Sequence, residues 1–175
     1  IRVSPLNDPP NTTEFVQRVL ADLNLESTVM TYPESFVVNG VSFTCIWPSE
    51  LILGQGSDAN NASVAIAVES NGVSILLAGD IEPPVQEKIV RDLPAINFDV
   101  IKVAHHGSRY QSSDFAKWAN AETAFISVGK DNDYGHPAPE TISLYELNGS
   151  QVFRTDLRGD LAISVQDSQI RVATR

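Results

Sequence analysis

Two apolar runs, residues 62–69 and 73–77, constrain this chain more than any other feature. They are joined through Asn71-Gly72, a pair that supplies the positive φ angles of a two-residue hairpin turn. Neither run alternates apolar with polar residues, so both strands are expected to be buried on both faces. Such a hairpin has to lie within a larger sheet, and the following segments supply the rest of it. Pro83-Pro84 opens a helical stretch in which Val85, Ile89 and Leu93 recur every four residues. Residues 100–104 read as a strand, 113–120 as a short helix and 124–128 as a further strand. Pro139 begins a last helix that ends at Asn148-Gly149, and residues 152–154, 161–165 and 170–173 close the chain as strands.

The preceding part continues the alternation. Residues 1–4 and 28–32 read as strands. Asn11 with Glu14 resembles a capping box ahead of a helix that carries Phe15, Val16, Val19, Leu20 and Leu23 on one face. Residues 36–43 form a second hairpin across Asn39-Gly40, running on towards Trp47. The polar stretch 54–61 (GQGSDANN) is expected to be loop. The predicted class is α/β, with mixed strand directions and helices covering a sheet, in a single domain over residues 1–175.

Composition narrows the function. Twenty-two acidic residues against 12 basic ones leave a net charge of −10. Passive nucleic-acid coating needs basic surface and is therefore disfavoured. A bound divalent cation can reverse the sign locally, which leaves metal-dependent phosphoester chemistry open. No apolar run is long enough to span a bilayer and no leader stands at the amino terminus, so the chain reads as soluble. Cys45 is the single cysteine, which rules out an internal disulfide and suggests a small buried hydrophobe.

The chain has three histidines, all in two loops that follow apolar strands. His105-His106-Gly107-Ser108 ends the strand at 100–104; as extended-chain neighbours, the two imidazoles are expected to point to opposite faces. His136 lies in Gly-Lys-Asp-Asn-Asp-Tyr-Gly-His-Pro (129–137), with Lys130, Asn132 and Tyr134, all able to contact a phosphate oxygen. A third strand ends in Gly79-Asp80. Asp80 alone reads most simply as a cap on the next helix. Together with a histidine pair followed by Gly-Ser, it shifts the reading towards a metal site, since imidazole and carboxylate suit Zn²⁺, Mn²⁺ and Fe²⁺. Ligands in open α/β sheets gather at such strand ends.

In order along the chain, the motifs are Asn60-Asn-Ala-Ser63, Leu77-Ala-Gly-Asp80, Asp99-Val-Ile-Lys-Val-Ala-His-His-Gly-Ser108, Ser127-Val-Gly-x-x-Asn-x-Tyr-Gly-His-Pro137 and Val152-Phe-Arg-Thr-Asp156. This set resembles the metallo-β-lactamase-like domain of the ComEC family, the channel proteins of natural DNA uptake. The resemblance implies an αββα sandwich lacking its amino-terminal part and a hydrolase with two metals, zinc or manganese, at strand ends. Its implied substrate is DNA during natural transformation, through nuclease activity on the strand that is not imported. The resemblance also makes Asp80 the metal-bridging aspartate and His106 the last metal ligand, with His105, Ser108, Asn132, Tyr134 and His136 on the substrate side. The superfamily's His-x-His-x-Asp-His motif is not among these residues. The resemblance implies that it stands upstream of Ile1 in the same protein, and that this protein carries a membrane channel. Another phosphoester, of choline-phosphate or nucleotide type, and a degenerate binding module are the alternatives.

Overall fold

A computed structural model describes residues 1–166 and 169–175. In chain order the elements are β1 (Arg2–Val3), α1 (Pro10–Asp22), β2 (Thr28–Val29), β3 (Ser35–Val38), β4 (Val41–Trp47), α2 (Asp58–Asn61), β5 (Ala65–Ser70), β6 (Val73–Leu77), α3 (Pro83–Asp92) and β7 (Val100–Lys102). A 3₁₀ turn (Ala104–Gly107) follows, then α4 (Ser113–Ala119), β8 (Thr123–Ile126), α5 (Pro139–Leu147), β9 (Gln151–Arg154), α6 (Thr155–Arg158), β10 (Leu161–Gln166) and β11 (Gln169–Thr174).

Seven strands form one mixed sheet in the order β3-β4-β5-β6-β7-β8-β9. The first four are antiparallel neighbours and β6 to β9 run parallel. The hairpin turns are as expected: Asn39, Gly40, Asn71 and Gly72 all have positive φ, between 49° and 81°. Each parallel step needs a crossover, and α3, α4 and α5 supply the three.

Register separates the two faces of the sheet. Ala67, Leu76, Ile101, Ala124 and Val152 are lateral neighbours, and they pack with Val85, Ile89, Phe115, Trp118 and Tyr145 of the helices in one core. On the opposite face Leu77, Lys102, Phe125 and Phe153 are neighbours. Leu76 is fully buried while Leu77 is 42% exposed. The expectation of burial on both faces therefore holds in part: Val68, Val73 and Val100 are buried on this second face, whereas Leu77 at the strand end is open. On the core side, helices α3, α4 and α5 cover the large mixed sheet.

Several local expectations change. α1 starts at Pro10 with Pro9 as N-cap and no side-chain cap, so the Asn11/Glu14 box does not form; proline's fixed φ sets the first turn instead. Of α1's apolar face only Leu20 is buried, and Phe15, Val16, Val19 and Leu23 stay exposed. The stretch 54–61 is not all loop: Ser57 Oγ accepts the Asn60 N–H and caps the four-residue helix α2. The strands expected at 1–4 and 28–32 shrink to the two-residue pair β1–β2.

Candidate metal and phosphoester site

The three loops singled out in the sequence leave the carboxyl ends of adjacent parallel strands β6, β7 and β8, so the fold brings them together. Asp80 does not cap α3. Glu82 holds the N-cap position, and the Asp80 carboxylate turns to the sheet edge, with Oδ1 3.3 Å from Lys102 Nζ and 3.6 Å from His106 Nε2. Gly79 makes this approach feasible. Its φ is +60°, and a Cβ there would stand 2.8 Å from Ser63 Cβ, while Ser63 Oγ accepts the Asp80 N–H at 3.2 Å.

His105 and His106 are not extended. Both occupy the left-handed region, at φ 48° and 53°, within the 3₁₀ turn. Such φ values are uncommon for residues with a Cβ, and here neighbouring backbone holds the turn. Gly79 O accepts the His105 N–H at 3.1 Å, and Gly107 O accepts the Ala138 N–H at 2.8 Å. The two rings still part company, by the twist of the turn rather than by strand alternation. His106 faces Asp80, whereas His105 faces Glu82 and meets the His136 ring edge-on at 5.5 Å.

The geometry around His106 suits a metal ligand. A carbonyl can only accept, so the 2.7 Å contact between His106 Nδ1 and Ser127 O places a hydrogen on Nδ1. Nε2 is left facing Asp80, the arrangement in which an outer partner fixes a ligating imidazole. Two donors about 2.1 Å from one tetrahedral cation lie about 3.4 Å apart, close to the 3.6 Å between Nε2 and Asp80 Oδ1. Among the described residues no group of three or more His, Cys, Asp or Glu is placed to hold a metal ion. Asp80 and His106 thus fit one edge of a divalent-cation site and do not complete it. Lys102, also bonded to Gly79 O at 2.9 Å, places an ammonium against the Asp80 carboxylate.

The substrate-side candidates divide. His105, His136 and Tyr134 form a connected row, Tyr134 stacking on His136 with ring centres 6.0 Å apart and standing 84% exposed. Partial burial, reinforced by His105, His106 and Arg109, pushes the His136 pKa below its ordinary 6.5. Ser108 is buried, its Oγ accepting the Tyr110 N–H at 3.2 Å. Asn132 bonds its own loop, donating to Gly129 O and His136 O and accepting the His136 N–H. Both side chains shape the loops from within.

Glu82 escaped the sequence reading because Glu-Pro-Pro looks only like a helix start. It is 8% exposed. Its Oε2 accepts the Ser57 N–H and its Oε1 the Asn60 amide, each at 3.0 Å. Asn61, fully buried, donates to Gln55 O and accepts the Glu82 N–H, while its backbone carbonyl accepts from Trp47 Nε1. The sequence signal was the Asn60-Asn61 pair itself, which ties the α2 loop to the start of α3.

No protein-family model matches the chain. It is 36% identical to ComE operon protein 3 of Bacillus subtilis (strain 168) over 103 residues, 58% of this chain and 13% of that protein. It is 31% identical to Competence protein ComA of Neisseria gonorrhoeae over 125 residues, 70% of this chain and 18% of that protein. Among solved structures it is similar to a chain from Thermotoga maritima described as a Zn-dependent hydrolase of the metallo-β-lactamase superfamily, with TM-score 0.37 and 15% identity, over 72% of this chain and 62% of that one. The chain spans less than a fifth of the length of these two curated relatives, and over that span it is a ComEC-like domain.

Proposed function

We propose that this chain carries one side of the active site of a metal-dependent phosphodiesterase, a nuclease acting on DNA during competence. The observation that supports it most is the His106 ring, its Nδ1–H held by Ser127 O and its Nε2 3.6 Å from Asp80. Asp80 and His106 would hold a divalent cation, zinc or manganese, together with donors from other parts of the protein. Such a cation lowers the pKa of bound water to about 7 and neutralises a phosphodiester oxygen. That local positive charge is what a domain of net charge −10 needs in order to accept DNA. Lys102 holds the Asp80 carboxylate at the strand ends. The His105, His136 and Tyr134 row lines the approach, where Tyr134 offers an exposed ring to a nucleobase. Ser108 and Asn132 set the loop shapes that carry this row.

Full-length protein should cleave single-stranded DNA in a chelator-sensitive manner and act weakly on small choline-phosphate or nucleotide diesters. Asp80→Asn and His106→Gln should abolish cleavage. Metal-dependent cleavage retained in either variant would remove the assignment. A second reading, a non-catalytic module, is favoured by one observation: the lack of a third metal donor among the described residues. It predicts no DNA cleavage by the full-length protein under any divalent cation.

A further inference from the structure

We propose that Glu82 is a positioning residue for His105, fixing the orientation and tautomer of its imidazole. Glu82 occupies the N-cap of α3, yet its side chain caps nothing. The carboxylate instead turns back into the 55–61 loop, where Ser57 N–H and the Asn60 amide hold its two oxygens. Gly56 is shaped around it: φ is +88°, and a Cβ at that position would lie 2.1 Å from Glu82 Oε2. A buried carboxylate held by two donors and a glycine cradle is a built feature, and helix start alone does not call for it.

Its remaining face points at His105. Nδ1 of that ring is buried and has no hydrogen-bond partner, and Glu82 Oε1 is the acidic oxygen beside it, at 3.6 Å. A small rotation of either side chain closes this gap to a hydrogen bond from Nδ1–H to the carboxylate. The opposite nitrogen, Nε2, lies 3.5 Å from the Asn60 amide nitrogen, a donor. Both contacts select the same tautomer, with hydrogen on Nδ1 and the lone pair on Nε2. Glu82 and Asn60 are themselves bonded, so the three groups set one another's orientation.

The consequence concerns what His105 can recognise. With Nδ1–H committed to Glu82, the Nε2 lone pair is left as an acceptor, suited to the hydrogen of a water or hydroxyl group rather than to a bare phosphate oxygen. This last step rests on the proposed phosphodiesterase reading for the group opposite His105, whereas the Glu82–His105 pairing does not.

The test is the nitrogen-15 signature of the imidazoles in the 175-residue chain, by long-range proton–nitrogen correlation without metal or DNA. Wild-type His105 should appear as the Nδ1–H tautomer. Glu82→Gln, which keeps an accepting oxygen, should preserve it. Glu82→Ala and, independently, Gly56→Ala should shift His105 towards the Nε2–H form, with His106 unchanged as internal control. In full-length protein, Glu82→Ala should lower kcat about tenfold or more at unchanged KM and unchanged metal content. A wild-type His105 in the Nε2–H form would overturn the proposal even if Glu82→Ala failed to fold. An unmoved tautomer in a folded Glu82→Ala would do the same. Because the tautomer is read without substrate, absence of nuclease activity would count against the phosphodiesterase reading and leave the pairing standing.

Discussion

Gly107→Ala tests whether the two histidine loops are packed as one unit. Gly107 has φ +76°, and a Cβ there would meet Pro137 Cβ at 2.8 Å and Ile126 Cγ2 at 3.1 Å. The contact with the Pro137 ring is closer than a methyl group tolerates, the one with Ile126 is tight, and neither neighbour is the free end of a long flexible side chain. Two costs follow. Holding alanine in the left-handed region costs about 1–2 kcal/mol, and overpacking between a strand residue and a proline costs about 1–3 kcal/mol. The expected loss is about 2–5 kcal/mol. With a urea slope of about 2 kcal/mol/M, the unfolding midpoint should fall by about 1–2.5 M. Fluorescence of Trp47 and Trp118, both buried, reports the transition. Gly129→Ala is the control: it has nothing within 4 Å of the new Cβ and should stay within about 0.5 kcal/mol of wild type. A Gly107→Ala loss below about 0.5 kcal/mol would refute the packing of HHGS against YGHP that places His105 beside His136.

Two further outcomes follow from perturbed groups. Burial pushes the Cys45 thiol up to about 11 from its ordinary 9.0, against a smaller opposing effect of a backbone hydrogen bond with Trp47. At pH 8 iodoacetamide should leave the folded chain unmodified and label it once urea unfolds it. The folded state keeps the thiol proton to higher pH, so stability should fall as pH rises from 9.0 towards about 11; alkylation of folded protein at pH 8 would contradict this. His136 is depressed chiefly by burial, so the unfolded chain takes up its proton first as pH drops, and stability should decline as pH falls through the ordinary value of 6.5. Proton NMR should place its midpoint below 6.5, and a midpoint above that value would show the ring more open than the structure has it.

Features governed by local chemistry were legible in the sequence. Both Asn-Gly turns, the Pro-initiated helices α3 and α5 and the apolar strands of the large sheet follow from backbone preferences and periodicity. So did the gathering of Asp80, His105, His106 and His136, because strand ends of a parallel sheet converge. Features set by tertiary contacts were not. An extended His105-His106 was expected, yet Gly79 O and the Ala138 N–H impose a left-handed turn that no residue in HHGS announces except Gly107. α2 has no apolar periodicity and is held by the Ser57 cap and the Asn61 bonds. Glu82 looked like helix-start punctuation because its partners, Ser57, Asn60 and His105, lie 22 to 25 residues away along the chain. α1 followed the helical period, but the period could not say that Phe15 and Leu23 would remain exposed.

The most direct test of the central claim is the metal content of full-length protein purified from its source, measured by elemental analysis beside Asp80→Asn and His106→Gln variants of matched secondary structure. If Asp80 and His106 form one edge of a divalent-cation site, wild type should carry stoichiometric zinc or manganese, and each substitution should remove most of it. Metal retained at wild-type stoichiometry in both variants would mean that the ion, and the chemistry built on it, belongs elsewhere in the protein.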